Sequence, residues 1–162
     1  MAKDDFNFKK EYEKIKKSNN SLPDFKELNN QFEFSSIKDF PEDNNFLLRN
    51  IRRKINERLA NLSRFIEEAL NPNPNSVIGV TESKNFTVKD REKLRELLKN
   101  LMLIERKSLL LEIEFDNDKE IEFIKDSLND WIKIKKDFKP FIKIMMDSWD
   151  TKEEKQTKHY FG

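Results

Sequence analysis

The segment PEDNNFLLRNIRRKINERLANLSRFIEEAL, residues 41–70, carries the pattern that decides the fold. Its apolar residues recur at steps of three and four over about six turns, which is the spacing of one face of an α-helix. They are Leu48, Ile51, Ile55, Leu59, Leu62, Ile66 and Leu70. Pro41, Glu42 and Asp43 suit a helix start, and Pro72 and Pro74 prevent continuation. The pattern predicts a helix over about 43–70.

Two more long helices follow towards the C-terminus. Thr87 is a good N-cap with Asp90 three residues on, and the apolar repeat after it predicts a helix over 88–115. Asp116-Asn117-Asp118 is a short polar break, after which apolar residues predict a helix over 118–150 that Pro140 kinks or restarts. A break this short favours antiparallel packing of the two helices. The expected fold is an all-α antiparallel bundle of three long helices.

The remaining segments are predicted to be accessory. Shorter helices are expected over about 5–17 and after Ser21-Leu22-Pro23, within a peripheral N-terminal segment over residues 1–40. Residues 71–86 are expected to be a long loop, with Val77-Ile78-Gly79-Val80 as its one β-like fragment. Residues 1–150 would form one helical domain, and residues 151–162 a flexible charged tail.

Composition restricts the class of protein. The 162 residues include only two Gly, which disfavours hairpins, and 32 basic against 31 acidic residues, which leaves almost no net field to attract polyanions. Cysteine is absent, so disulfides and thiolate chemistry are excluded, and a cytoplasmic location is expected. No apolar run approaches the length of a membrane span, and we expect no membrane partner.

Catalytic residues are scarce. The single histidine, His159, lies near the chain end, where a general base is hard to preorganise, and there is no Gly-rich phosphate loop. Two glutamate pairs flank the predicted turn at 116–118, namely Glu112 with Glu114 and Glu120 with Glu122, and their spacing favours solvated surface carboxylates over a metal site. We therefore expect no enzyme activity, no cofactor, no metal and no small-molecule substrate.

Two basic clusters are candidate contacts for polyanions or acidic partners. The first lies on the predicted helix at 43–70 and comprises Arg49, Arg52, Arg53, Lys54, Arg58 and Arg64. Arginine suits bidentate contact with phosphate or carboxylate, but Glu57, Glu67 and Glu68 share the outer surface, so a salt-bridged face is the alternative. The second is a lysine run at 133–143 around Trp131, Phe138 and Phe141, whose spacing favours burial of the aromatic rings over base stacking.

Surplus apolar residues supply the leading functional hypothesis. Met102, Leu103, Leu109 and Leu110 lie outside the main repeat of the helix predicted over 88–115. If they stay exposed as one patch, binding of a protein partner or of a second copy follows. The sequence thus favours a non-enzymatic helical interaction or scaffold module. The alternative is a nucleic-acid- or ribosome-associated factor that binds phosphate through the arginine cluster.

The C-terminal tail carries a weaker motif. Gln156, Tyr160 and Phe161 resemble the peptide by which replication and repair proteins dock on the sliding clamp. The spacing is one residue short and the aliphatic residue is missing, and a frayed terminus is the alternative. The resemblance implies a protein partner for the tail.

Overall fold

A computed structural model describes residues 8–34 and 46–150 of the chain. In this part of the chain there are six helices and no strand. They are α1 (Phe8–Ser18), α2 (Phe25–Phe32), α3 (Leu47–Leu70), α4 (Val77–Ser83), α5 (Val88–Glu114) and α6 (Asn117–Asp150). The all-α prediction is confirmed, as are the end of α3 and the positions of α5 and α6. The predicted start of α3 near residue 43 lies outside the described residues.

The three long helices α3, α5 and α6 pack against one another, and α5 makes its most extensive contacts with α3. Arg52, near the start of α3, touches Ser108 near the end of α5 and Glu120 at the start of α6. Helix α5 is therefore antiparallel to both of its neighbours. The apolar repeat predicted for α3 faces this core, where Ile51, Ile55, Leu59 and Ile66 are fully buried.

Local signals explain where α5 and α6 begin. Thr87 Oγ1 accepts a hydrogen bond from the Asp90 N–H, and the Asp90 carboxylate accepts one from the Thr87 N–H, so the predicted N-cap is confirmed and forms a capping box with Asp90. Helix α5 ends at Glu114, and the next residue, Phe115, adopts a left-handed backbone conformation with φ 57°. Asp116 then accepts hydrogen bonds from the N–H groups of Asp118 and Lys119 and caps α6. Helix α6 continues through Pro140.

The N-terminal helices join the bundle through an aromatic cluster. Tyr12, Phe25, Phe32 and Phe34 are buried, and the ring of Phe32 lies 5.9 Å from that of Trp131 on α6. Tyr12 also donates a hydrogen bond to the carbonyl of Pro23, at 2.8 Å. Burial of large rings offsets the conformational entropy lost when the short helices α1 and α2 form.

The segment 71–86, which was predicted to be a long loop, contains the short helix α4. The Ser76 side chain accepts a hydrogen bond from the Gly79 N–H and caps the helix. Gly79 is buried, and a Cβ there would come within 3.3 Å of Pro72, so the small residue allows α4 to approach this turn. Val77 and Ile78, which resembled a strand, are exposed on the first turn of α4. The cap outweighs their weak preference for strand structure.

Candidate functional site

Helix α5 is apolar on two faces. One face packs into the core through Leu94, Leu101, Ile104 and Leu111. On the opposite side, Leu103, Leu109, Leu110 and Ile113 are 53%, 55%, 53% and 71% exposed, and Met102 is half-buried. We call the surface formed by Met102, Leu103, Arg106, Leu109, Leu110 and Ile113 the outer face of α5. It contains all four apolar residues that the sequence singled out, and Ile113 in addition.

The spacing of these residues places the outer face along one side of α5, with Arg106 between its two groups of apolar residues. Met102 and Leu109 are seven residues apart, as are Leu103 and Leu110, so each pair occupies nearly the same angular position two turns along the helix. At its N-terminal end a shallow depression is lined by Arg95, Leu98, Lys99, Met102, Leu103 and Arg106. An apolar stripe of this kind on a helix surface is a recognisable docking surface for a second helix.

Arg52, predicted as part of a basic surface, is buried instead. Only 2% of the residue is exposed. Its Nε donates to both carboxylate oxygens of Glu120, its Nη1 to the carbonyl and hydroxyl oxygens of Ser108, and its Nη2 to Glu112 at 2.5 Å. Arg52 follows Leu48 by four residues and precedes Ile55 by three, so it lies within the apolar stripe of α3. This signal was present in the sequence.

Glu120 was predicted to be a solvated carboxylate, and this prediction was also wrong. It is buried against Arg52, and burial raises the pKa of its carboxyl above the usual value although Arg52 opposes the shift. Glu112 is half-buried between two guanidinium groups, and hydrogen bonds from Arg53 and then Arg52 lower the pKa of its carboxyl to about 2. Two arginines and two glutamates thus form a charge-balanced cluster joining α3, α5 and α6.

The other residues of the first basic cluster are mostly engaged within the chain. Arg53 pairs with Glu112, and Lys54 with Glu57 at 2.8 Å. The Arg49 guanidinium lies over the rings of Phe46 and Phe115, at 5.1 Å and 4.1 Å from their centroids. The two remaining members are exposed: Arg58 is 3.6 Å from Glu33, and Arg64 lies on the surface of α3. The structure therefore does not bring the six together as one free basic surface.

The second basic run surrounds rings that mostly belong to the core. Trp131, Phe138 and Phe141 are buried, as the spacing predicted. Trp149, at the end of α6, is 53% exposed and donates from Nε1 to Glu82 of α4 at 3.0 Å. The tail residues Gln156, Tyr160 and Phe161, and His159, lie outside the described residues.

Two further observations concern the described residues as a whole. Within residues 8–34 and 46–150, no group of three or more His, Cys, Asp or Glu side chains is placed to hold a metal ion. In the same ranges, every helix is too short or too polar to cross a lipid bilayer.

Comparison of this chain with models of known protein families, with curated proteins and with solved structures finds no match in any of the three.

Proposed function

We propose that this protein is a non-enzymatic helical interaction module of the cytoplasm that binds a protein partner through the outer face of α5. The exposure of Leu103, Leu109, Leu110 and Ile113 on the solvent side of a helix whose other side is in the core carries this proposal. Scattered single apolar residues are normal on protein surfaces, whereas several of them grouped on one side of a helix indicate an interaction site.

The size of the apolar stripe is consistent with a specific contact. Covering a half-exposed leucine or isoleucine removes part of its apolar area from water and stabilises a complex by about 1 kcal/mol. Each pair of residues seven positions apart presents the same geometry to a partner, so two successive layers of a second helix can pack on it. Because association itself carries a large entropic cost, binding depends on several of these residues acting together.

Nucleic-acid binding through the arginine cluster is less favoured by the arrangement of the side chains. Arg52 is inside the bundle, and Arg53 and Lys54 already contact carboxylates. A phosphate-binding surface requires cations that are free to replace condensed counterions.

Co-purification of tagged protein from its native cell tests the proposed function, with nuclease treatment to remove nucleic acid. The tested variant is Leu103→Glu/Leu110→Glu, and the matched control is Ile132→Glu, which changes a residue that is 44% exposed on α6. We expect a defined partner with the wild type and with the control, and its loss with the double variant. A partner retained by the double variant, or removed by nuclease, would contradict the proposal. Circular dichroism and urea unfolding establish that both variants remain folded.

A further inference from the structure

Three cations accompany the apolar residues on the solvent side of α5. Arg95, Lys99 and Arg106 are exposed, and Lys99, Arg106 and Ile113 succeed one another at seven-residue intervals. Arg95 precedes Met102 by the same interval. Within residues 8–34 and 46–150, no carboxylate lies within salt-bridge distance of any of the three cations, and none of the three donates a hydrogen bond to another residue.

Two of the three carboxylates on the same stretch of α5 face α3. Glu105 accepts a hydrogen bond from Ser63 of α3 at 2.7 Å. Glu112 accepts hydrogen bonds from Arg52 and Arg53, which also lie on α3. Glu96 lines the cleft between α5 and α6 together with Lys136. From Arg95 to Ile113, Glu96, which precedes Leu103 by seven residues, is the one exposed carboxylate on α5, against the three exposed cations Arg95, Lys99 and Arg106. This side of α5 is therefore apolar with an excess of positive charge.

We infer that the partner of the outer face of α5 is an acidic amphipathic helix, an inference that depends on the proposed function. The apolar stripe of such a helix would pack on Met102, Leu103, Leu109 and Leu110, and its flanking carboxylates would reach Lys99 and Arg106. The seven-residue recurrence on α5 matches the repeat of helix–helix packing, and the unpaired cations supply the charge complementarity. Acidic side chains also select against basic partners, which the same cations repel.

A second copy of this chain fits the surface less well. In a two-fold symmetric dimer with parallel α5 helices, each of the three cations would lie close to its own counterpart, and like charges brought together disfavour that arrangement. In an antiparallel dimer the cations would instead meet the apolar C-terminal part of the other copy's outer face. Neither arrangement supplies carboxylates in the number that an acidic helix does.

Two synthetic helical peptides of three heptads test the inference on the full chain. Both carry leucine at the a and d positions, and one has glutamate and the other lysine at the flanking e and g positions. Fluorescence anisotropy with labelled peptide measures affinity at low and at raised ionic strength. We expect the glutamate peptide to bind the wild type more tightly than the lysine peptide, and the difference to shrink as salt is added.

Charge-reversal variants locate the contact. Lys99→Glu/Arg106→Glu should weaken binding of the glutamate peptide about tenfold and strengthen binding of the lysine peptide. Arg64→Glu, which reverses an exposed arginine on α3, is the matched control and should leave both affinities unchanged. Equal affinity for the two peptides, or no effect of the double reversal, would overturn the inference.

Two more measurements distinguish an acidic helix from two other possible occupants of the outer face of α5, a second copy of the chain and a membrane surface. Sedimentation at micromolar concentration should show a monomer, and a dimer lost in the Leu103→Glu/Leu110→Glu variant would assign the face to a second copy. Flotation with vesicles containing phosphatidylserine should leave the protein unbound, and binding abolished by the charge reversal would assign the face to a membrane surface. Either result overturns the acidic-helix inference. If neither peptide binds, the acidic-helix inference fails. The proposed function is not affected by that result, because co-purification tests it separately.

Discussion

Arg52 of α3 donates from Nε to both carboxylate oxygens of Glu120 of α6, at 3.0 Å and 2.8 Å, and both residues are buried. A guanidinium group removed from water requires hydrogen-bond acceptors in fixed positions, and here they come from two other helices. Ser108 and Glu112 of α5 complete the set of acceptors. The Arg52 side chain of α3 therefore contacts both α5 and α6 and fixes the relative positions of the three long helices.

Removal of Glu120 should strongly destabilise the fold. Glu120→Ala leaves Arg52 buried without its main acceptor, and breaking a buried ion pair from one side costs about 3 kcal/mol. Urea unfolding followed by circular dichroism measures the loss. The control is Glu122→Ala, which changes an exposed carboxylate two residues away and should alter stability by less than about 0.5 kcal/mol. Similar effects of the two substitutions would show that the buried pair has no special role.

Acid should destabilise the protein partly through Glu112. Its pKa in the folded chain is about 2, below the ordinary value of 4.5. The ionised carboxylate therefore stabilises the fold above about pH 4.5, and this contribution is lost as the pH falls towards 2. Glu120, whose pKa is raised by burial, acts in the opposite direction.

The variant Glu112→Gln isolates this contribution. It should be less stable than the wild type near neutral pH, and its urea midpoint should decrease less between about pH 5 and pH 2. The carboxyl of Asp90, whose pKa is lowered chiefly by its hydrogen bond with Thr87, titrates in both proteins and serves as an internal constant. Parallel pH profiles for the wild type and the variant would contradict the account.

Loss of the cap of α5 should have a moderate effect. Thr87 Oγ1 accepts from the Asp90 N–H at 3.2 Å, and Thr87→Ala removes this acceptor from the first turn. Such a substitution costs about 1 kcal/mol. Thr87→Ser keeps the hydroxyl and should retain most of the stability. Urea midpoints of the two variants give the comparison, and equal losses would mean that the side-chain oxygen is not the cause.

Reversal of Arg53 should affect stability rather than nucleic-acid affinity. Arg53→Glu places a carboxylate beside Glu112 and should destabilise the fold by about 1 kcal/mol, since this pair is partly exposed. Binding of labelled duplex DNA or RNA should be the same for the wild type, Arg53→Glu and the control Lys125→Glu, which changes an exposed lysine of α6 outside both basic clusters. A steep salt-dependent affinity that Arg53→Glu reduces and Lys125→Glu does not would support the alternative function.

Much of the fold was predictable because it depends on local patterns. The three- and four-residue repeat located α3, and the Thr87–Asp90 pair located the start of α5. Helix α4 was missed because its signal is a single cap, Ser76, within a segment rich in proline and asparagine. A short helix gains most of its stability from packing, which a linear sequence does not display.

The buried network was predictable only in part. Arg52, Ser108 and Glu120 each occupy a core-facing position on a different long helix, and this could have been read from the apolar repeats. Their pairing could not, because it depends on the axial register of three helices. The sequence also showed that α5 has more apolar residues than one core face requires. Whether Leu103 and Leu110 would be exposed depended on how many helices cover α5, which is a tertiary property.

Site-specific photo-crosslinking in the native cell tests the central claim most directly, namely that the outer face of α5 is a docking surface. A benzoylphenylalanine residue replaces Leu103 or Leu110 in turn, and the control replaces Phe65, an aromatic residue on α3 that is 64% exposed. The account predicts a discrete crosslinked protein adduct from Leu103 and Leu110 and none from Phe65. The absence of an adduct from both α5 positions, or the same adduct from Phe65, would contradict it.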